Sequence, residues 1–241
     1  MGFLTLTRLP AGRIAGDVPA MGASAWSWSL VGLVLGALSA LVWSVALRLG
    51  LPTLPAATLA CLCLTVLTGG LHEDGLADLT DGFWGGRERE RRLAIMRDSR
   101  IGSYGALAIS FSVLISVGSL ASLAPRDGAL ALIAVSSASR AAMPLALHLM
   151  PPARSDGLGR AAGAVAPRAV AVALVIGLLS LTMIGFWTGL TVAVLMAATG
   201  FALALLAQRK IGGQTGDVLG ALQQVTALAG WLVLAALLGQ A

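Results

Sequence analysis

Between Gly69 and Gly82 the chain reads Gly-Gly-Leu-His-Glu-Asp-Gly-Leu-Ala-Asp-Leu-Thr-Asp-Gly, which gathers His72, Glu73, Asp74, Asp78 and Asp81 into one short segment. If it is helical, Asp74, Asp78 and Asp81 are spaced i, i+4, i+7 and share one stripe. Like charges so placed repel by roughly a few tenths of a kcal/mol per pair, and a divalent cation reverses the sign of that penalty. Oxygen donors without a neighbouring cysteine select Mg²⁺ or Mn²⁺ over zinc, and such ions usually keep waters and bind substrate phosphates. His72 and Glu73 point off the stripe, and Glu73 is placed to reach a second ion or a substrate proton. A merely solvated acidic loop would mix in Lys, Ser and Asn rather than alternate Asp with Gly, Leu and Ala.

Three further segments carry chemistry. Arg97-Asp98-Ser99-Arg100-Ile101-Gly102 supplies an Asp that can join a metal site and two arginines suited to pyrophosphate oxygens, with anchoring at the membrane surface as the alternative role for the arginines. Arg140 lies near the middle of an apolar run, so it must face a protein interior or a wet cavity. It is a candidate anion ligand or half of a buried pair with an acidic residue. Gly212-Gly213-Gln214-Thr215-Gly216-Asp217 opens an apolar run, where backbone N–H groups and the helix dipole suit a phosphate. Gly213 and Thr215 are the candidate phosphate contacts. Asp217 is either a metal ligand or a helix cap. The alternating run Arg87-Glu88-Arg89-Glu90-Arg91-Arg92 reads as a solvent-facing helix anchored at an interface.

The elements that must hold these residues follow from composition. Of 241 residues, 57% are hydrophobic and 11% charged, more apolar surface than a soluble domain of this size can hide. Disordered, collagen-like and disulfide-rich classes are excluded as well, which leaves an all-α polytopic membrane bundle forming one domain over residues 1–241. Thirteen of the 27 charged residues lie between Glu73 and Arg100, so the chemistry belongs there, in a motif and Arg-rich loop spanning residues 69–102. A crossing takes about 20 apolar residues, and seven spans are predicted: Trp26 to Leu47, Leu54 to Gly70, Ser103 to Ala124, Ala129 to Met150, Ala169 to Gly185, Trp187 to Ala207 and Val218 to Leu238. The 39 residues from Ala169 to Ala207 are split at the stretch from Ile184 to Gly189. Gly32 and Gly36, continued by Ala40, form a small-residue stripe that lets another helix approach closely. Cys61 and Cys63 point different ways and read as packing residues, and His148 reads as an interfacial side chain.

This layout puts Arg8, Arg13, Arg87, Arg89, Arg91, Arg92, Arg97, Arg100, Arg154, Arg160, Arg168, Arg209 and Lys210 on one side and only Arg48 and Arg126 on the other. The positive-inside rule then makes the N-terminus and the charged face cytoplasmic, with the first span as insertion signal in place of a cleaved leader. The net charge of +5 is accounted for by topology, because no basic stripe is interleaved with aromatics, and nucleic acid is not expected as a partner.

Taken together, these segments resemble the cobalamin synthase family, the adenosylcobinamide-GDP ribazoletransferases. The likeness rests on Phe3-Leu4-Thr5-Leu6-Thr7-Arg8-Leu9-Pro10, on Gly69 to Gly82, on the Arg97 to Gly102 box, on Ser139-Arg140 and on Gly212 to Asp217. The family commonly has Lys where this chain has Arg97, and often Thr-Ala at Leu79-Thr80. The resemblance implies an enzyme of the bacterial cytoplasmic membrane, active at its cytoplasmic face. It would transfer cobinamide phosphate from adenosylcobinamide-GDP to the ribose 5'-hydroxyl of alpha-ribazole or alpha-ribazole 5'-phosphate, with Mg²⁺ (or Mn²⁺), releasing GMP. On that reading Asp74, Asp78, Asp81, Asp98 and Asp217 are the metal candidates, and Arg97, Arg100, Arg140, Gly213 and Thr215 bind pyrophosphate. Glu73, Asp81 and Arg100 are the catalytic candidates, with the base open among Glu73, Asp81 and His72. The lipid bilayer is the remaining partner, and an oligomer is compatible with the sequence. The alternatives are a CDP-alcohol phosphotransferase, whose signature has Arg where Asp78 follows Ala77, and a transporter, for which the chain shows no convincing internal repeat.

Overall fold

The computed structural model describes residues 1–10, 12, 20–157, 160 and 162–240. Arg13, counted above on the basic side, lies outside them. The helices are α1 (Gly2–Leu6), α2 (Trp28–Arg48, entered through a 3₁₀ segment Met21–Ser27), α3 (Thr53–Thr68), α4 (Leu71–Gly85), α5 (Arg89–Ile95) and α6 (Ser103–Ala121). They continue with α7 (Pro125–Leu149), α8 (Pro167–Leu181), α9 (Phe186–Ile211) and α10 (Gly216–Leu238). Among the described residues there is no β-strand, only an isolated parallel bridge between Pro152 and Gln214.

Six helical stretches are long and apolar enough to cross a membrane. Large side chains such as Leu114, Leu149, Phe186, Trp187 and Phe201 point outward, an arrangement that a bilayer rather than water must solvate. This is a multi-pass membrane protein. The predicted split after Ala169 is present: α8 ends, the chain turns at Gly185 (φ 96°) and α9 begins. A Cβ at Gly189 would run into the Leu181 carbonyl, so glycine is what lets this hairpin close.

The second predicted span is shorter than a crossing. α3 has 16 residues, about 24 Å of helix against about 30 Å of hydrocarbon. The chain then bends by 86° into α4, so α3 and α4 together make the seventh crossing element or a re-entrant one.

α7 lies at the centre, packed by α2, α8 and α10. Gly32 and Gly36 behave as the small-residue stripe predicts: a Cβ at either would collide with the α7 backbone, at Ser136–Ser137 and at Leu132–Ile133. Serine hydroxyls bind across the same interfaces, Ser137 Oγ donating to Ser29 O (3.1 Å), Ser29 Oγ to Ala173 O (2.8 Å) and Ser180 Oγ to Ala134 O (3.2 Å). Where hydrocarbon offers no partner, such bonds hold helices in register.

At one end of the bundle the loops containing residues 86–102, 150–157 and 211–216 meet. Arg89 Nε donates to Ile211 O (2.9 Å) and its Nη2 to Ala153 O (2.7 Å), while Arg92 Nη1 donates to Lys210 O (3.0 Å). Lys210 Nζ in turn donates to Phe83 O (2.6 Å). The run from Arg87 to Arg92 therefore does more than face solvent: two of its arginines satisfy carbonyls at the C-terminus of α9, where the dipole favours cations. The basic residues of these loops share one end, as the predicted topology requires.

Candidate active site

Two consecutive glycines make the bend that positions α4. Gly69 and Gly70 both adopt left-handed conformations (φ 69° and 71°) that side chains resist. Their N–H groups bond back to Val66 O (3.2 Å) and Thr65 O (2.9 Å), closing α3, and Asp74 N already bonds Gly70 O (2.9 Å). Glu73 and Asp74 thus fall in the first turn of α4, the end of the helix that favours negative charge. The period of 3.6 then divides the segment. His72, Leu76, Leu79 and Phe83 are buried on one side, while Asp74 is exposed and Asp78 half-buried on another.

The exposed side meets α10 through a glycine contact. A Cβ on Gly75 would lie 3.0 Å from Asp217 O and 3.2 Å from Gly220 Cα, so backbones approach here with no room for a side chain. This brings the first turn of α10 beside α4. The charges of Asp74, Asp217 and Asp81 all bear on Asp78, and Arg154 is the cation opposing them. Arg154 Nη2 lies 3.6 Å from Asp217 Oδ2, with both side chains largely enclosed, and its other contact is to Leu93 O (3.1 Å). Burial lowers the Arg154 pKa, and the Asp217 charge works against that shift. Sequence reasoning placed Arg154 only among topology-determining charges. Its partner is 63 positions away, and no local signal announces it.

The remaining metal candidates are engaged otherwise. Asp81 is buried and accepts two backbone hydrogen bonds, from Gly102 N (2.7 Å) and Gly105 N (2.9 Å). Gly102 is the N-cap of α6 and has no side chain of its own, so Asp81 supplies the cap from α4. A Cβ on either glycine would strike the Asp81 carboxylate. Asp98 pairs with its neighbour: Arg100 donates through Nε (3.0 Å), Nη2 (2.7 Å) and backbone N (3.1 Å). These bonds push the Asp98 pKa down to about 2 and raise that of Arg100. Arg97 pairs with Asp156. Asp98 and Arg97 are not brought to the group around Asp78, and Asp81, though near enough for its charge to act on Asp78, has both carboxylate oxygens engaged by α6.

Gly213 is required by a protein contact: a Cβ there would collide with Pro151 O, and the flanking bonds Gln214 N to Pro151 O (2.9 Å) and Ala153 N to Gln214 O (2.8 Å) pin the two loops together. Thr215 caps α10, its Oγ1 accepting from Val218 N (3.3 Å) and donating to Asp217 Oδ2 (3.2 Å). Asp217 is in the helix's first turn beside this cap, and it also faces Arg154.

Glu73 and Arg140 belong to a different compartment. Glu73 turns under the bend, where Oε1 accepts from Thr65 Oγ1 (3.2 Å), and it shares a cavity of about 70 Å³ with His72, Arg140 and Gln223. Arg140 is buried and donates from Nη1 to Ser136 O (2.8 Å), one turn back on α7. The charges of Glu73 and Arg140 act on each other across this cavity. A larger cavity of about 220 Å³ between α7, α8, α9 and α10 is walled by Ala, Leu, Met, Gly and Phe with Thr226 as its one polar side chain, and carries no group for catalysis. His148 is exposed and its Nδ1 lies 2.9 Å from Val165 O.

Among the described residues, no three His, Cys, Asp or Glu side chains converge closely enough to hold a metal ion by themselves. The arrangement is instead an acidic rim on which Asp74 is exposed, Asp78 half-buried and Asp217 largely enclosed beside one enclosed arginine.

Residues 1–235 match the family model described as Cobalamin-5-phosphate synthase. The chain belongs to this family. Relatives named adenosylcobinamide-GDP ribazoletransferase are similar along almost their whole length. The one from Mesorhizobium japonicum is 43% identical over 228 residues, covering 94% of this chain and 88% of the relative. That from Bradyrhizobium diazoefficiens is 45% identical over 236 residues (97% and 90%), and that from Azorhizobium caulinodans 47% over 237 (94% and 90%). No solved structure matches the chain at a significant level. Neither the lipid-synthase nor the transporter alternative is favoured by these likenesses.

Proposed function

We propose that the protein is an adenosylcobinamide-GDP ribazoletransferase of the bacterial cytoplasmic membrane, with its basic, acid-rimmed face toward the cytoplasm. The observation that carries this is the end-to-end similarity to relatives of that name. In the reaction a hydroxyl of alpha-ribazole, or of its 5'-phosphate, attacks the cobinamide-side phosphorus of adenosylcobinamide-GDP. The bond from that phosphorus to the bridging oxygen breaks, and GMP departs. The family description adds a chemical correction to the expected 5'-hydroxyl nucleophile. A product bearing a 5-phosphate cannot have used that oxygen for attack, so the nucleophile is a ring hydroxyl of the ribose.

The donor set fits a hard divalent cation. Asp74, Asp78 and Asp217 offer only carboxylate oxygens, they repel one another, and Mg²⁺ is usually bound by one or two carboxylates together with substrate phosphate oxygens. One or two of these carboxylates, completed by substrate phosphate oxygens, would hold Mg²⁺ (or Mn²⁺), which when bound neutralises charge on the pyrophosphate and on the departing phosphate. Arg154 lies beside them as a fixed cation for phosphate oxygens. Arg97 and Arg100, at the same end, would reach a pyrophosphate by exchanging their pairing with Asp156 and Asp98. Asp81 acts by starting α6. The proton of the attacking hydroxyl falls to Glu73 or His72, whose Oε2 and Nε2 make no hydrogen bond within the protein.

The test is direct. Purified protein in nanodiscs receives adenosylcobinamide-GDP and alpha-ribazole with and without Mg²⁺, and GMP and corrinoid product are separated by chromatography. Mg²⁺-dependent formation of both in equal amounts is expected, and absence of product refutes the assignment.

A further inference from the structure

The chamber under the α3–α4 bend holds an unusual concentration of unmet hydrogen-bonding capacity. His72, Arg140 and Gln223 are 2%, 3% and 5% exposed. The His72 Nε2, Glu73 Oε2, Arg140 Nε and Gln223 Oε1 atoms nevertheless have no hydrogen-bond partner within the protein. Buried polar atoms are almost always satisfied, and each exception calls for a ligand or a water. Four converging on one cavity, from α4, α7 and α10, is a built site rather than a packing accident.

Its chemistry is selective. The Glu73 carboxylate disfavours a phosphate, and Arg140 disfavours a metal cation; the two charges cancel, so an uncharged guest is preferred. The unmet atoms ask for both roles: Arg140 Nε needs an acceptor, Glu73 Oε2 and Gln223 Oε1 need donors. A hydroxyl supplies either, and several on one ring supply both at fixed spacing. Ser112 and Ser116 extend the polar wall. The volume of about 70 Å³ is several times the minimum that one water needs, room for the hydroxyl-bearing edge of a pentose.

We propose that this chamber is a ribose pocket, which binds the uncharged, hydroxyl-rich sugar of a nucleoside. The inference rests on the activity proposed above, in which two nucleosides take part: the acceptor alpha-ribazole and the guanosine of the donor. Either sugar presents the same hydroxyl chemistry. A pentose seated here places a ring hydroxyl at Glu73, one residue along α4 from Asp74 on the acidic rim.

Steady-state kinetics of the full-length protein in nanodiscs distinguish the sources. The near-isosteric Gln223→Met removes the acceptor Oε1 while keeping volume, and with it the Nε2 bond to Ser139 Oγ (2.9 Å); Ser116→Ala trims a smaller wall group, and kinetics are read from a variant whose melting curve matches wild type. Loss of a hydrogen bond is worth roughly three- to tenfold in affinity. We expect KM to rise by that factor for one substrate alone: for alpha-ribazole if the acceptor sugar occupies the pocket, for adenosylcobinamide-GDP if guanosine does. Equilibrium binding of alpha-ribazole and of GMP should weaken in parallel for the same nucleoside. Unchanged KM values, or equal rises for both substrates, overturn the pocket and leave a water-filled chamber. If the wild type releases no GMP yet binds one nucleoside in a variant-sensitive way, only the assigned activity falls. If it does neither, both fall.

Discussion

Replacing Asp81 by Asn separates two roles that the sequence assigns to the same carboxylate. In the structure its two oxygens each accept a backbone N–H, a part-buried one from Gly102 and a buried one from Gly105, and so begin α6. An Asn oxygen can accept only one of these, and its NH₂ group then faces the other N–H as donor against donor. The change removes one charge-assisted bond and leaves a buried amide unpaired, each worth about 1–3 kcal/mol, whereas cap losses measured at helix ends run to about 2 kcal/mol. Solvent cannot replace the lost bond, because Asp81 is only 7% exposed. We therefore expect about 2–4 kcal/mol of destabilisation, which at roughly 2–4 °C per kcal/mol for a chain of this length lowers the melting temperature by roughly 5–15 °C. The assay is thermal melting followed by tryptophan fluorescence in detergent, paired with GMP release measured well below both melting points. The variant should melt early yet turn over within about tenfold of wild type while folded. A variant that melts like wild type but is inactive would refute the capping argument and return Asp81 to the metal ligands.

Asp78→Asn should do the reverse: it relieves repulsion from Asp74, Asp217 and Asp81, so melting without Mg²⁺ is unchanged or slightly raised, while GMP release falls roughly a hundredfold or more, as expected for loss of several kcal/mol of metal-borne charge stabilisation; retained turnover would remove Asp78 from the site. Gly75→Ala inserts a methyl group 3.0–3.2 Å from the α10 backbone, which should cost about 1–3 kcal/mol and displace Asp74 and Asp78 from Asp217. Melting and turnover should therefore both drop, and wild-type values for both would show that the glycine crossing does not set the rim.

Much of this protein is determined by its sequence alone, because membrane solvation is a one-dimensional constraint. Apolar length and flanking charge place the spans, the break between α8 and α9 and the common end of the basic loops. Close packing at Gly32 and Gly36 is equally local, since only glycine permits that backbone approach. The composition of the acidic segment also marks, without help from distant residues, where Asp74 and Asp78 gather. Tertiary structure decides which acid does what. Asp74, Asp78 and Asp81 share a nominal stripe, but Asp81 turns to the start of α6, 21 residues on, where two unsatisfied amides claim it. Arg89 and Arg92 look solvated until the end of α9, more than a hundred positions later, presents its free carbonyls. Arg154 becomes a site residue only because Gly75 and Gly220 let α10 bring Asp217 alongside α4. Glu73 and Arg140 leave the rim for an inner chamber because the Gly69–Gly70 bend turns one face of α4 into the bundle. Helical period ranks side chains around an axis, but the neighbour each of them meets depends on packing between segments far apart in the chain, and it is those neighbours that assign the chemistry.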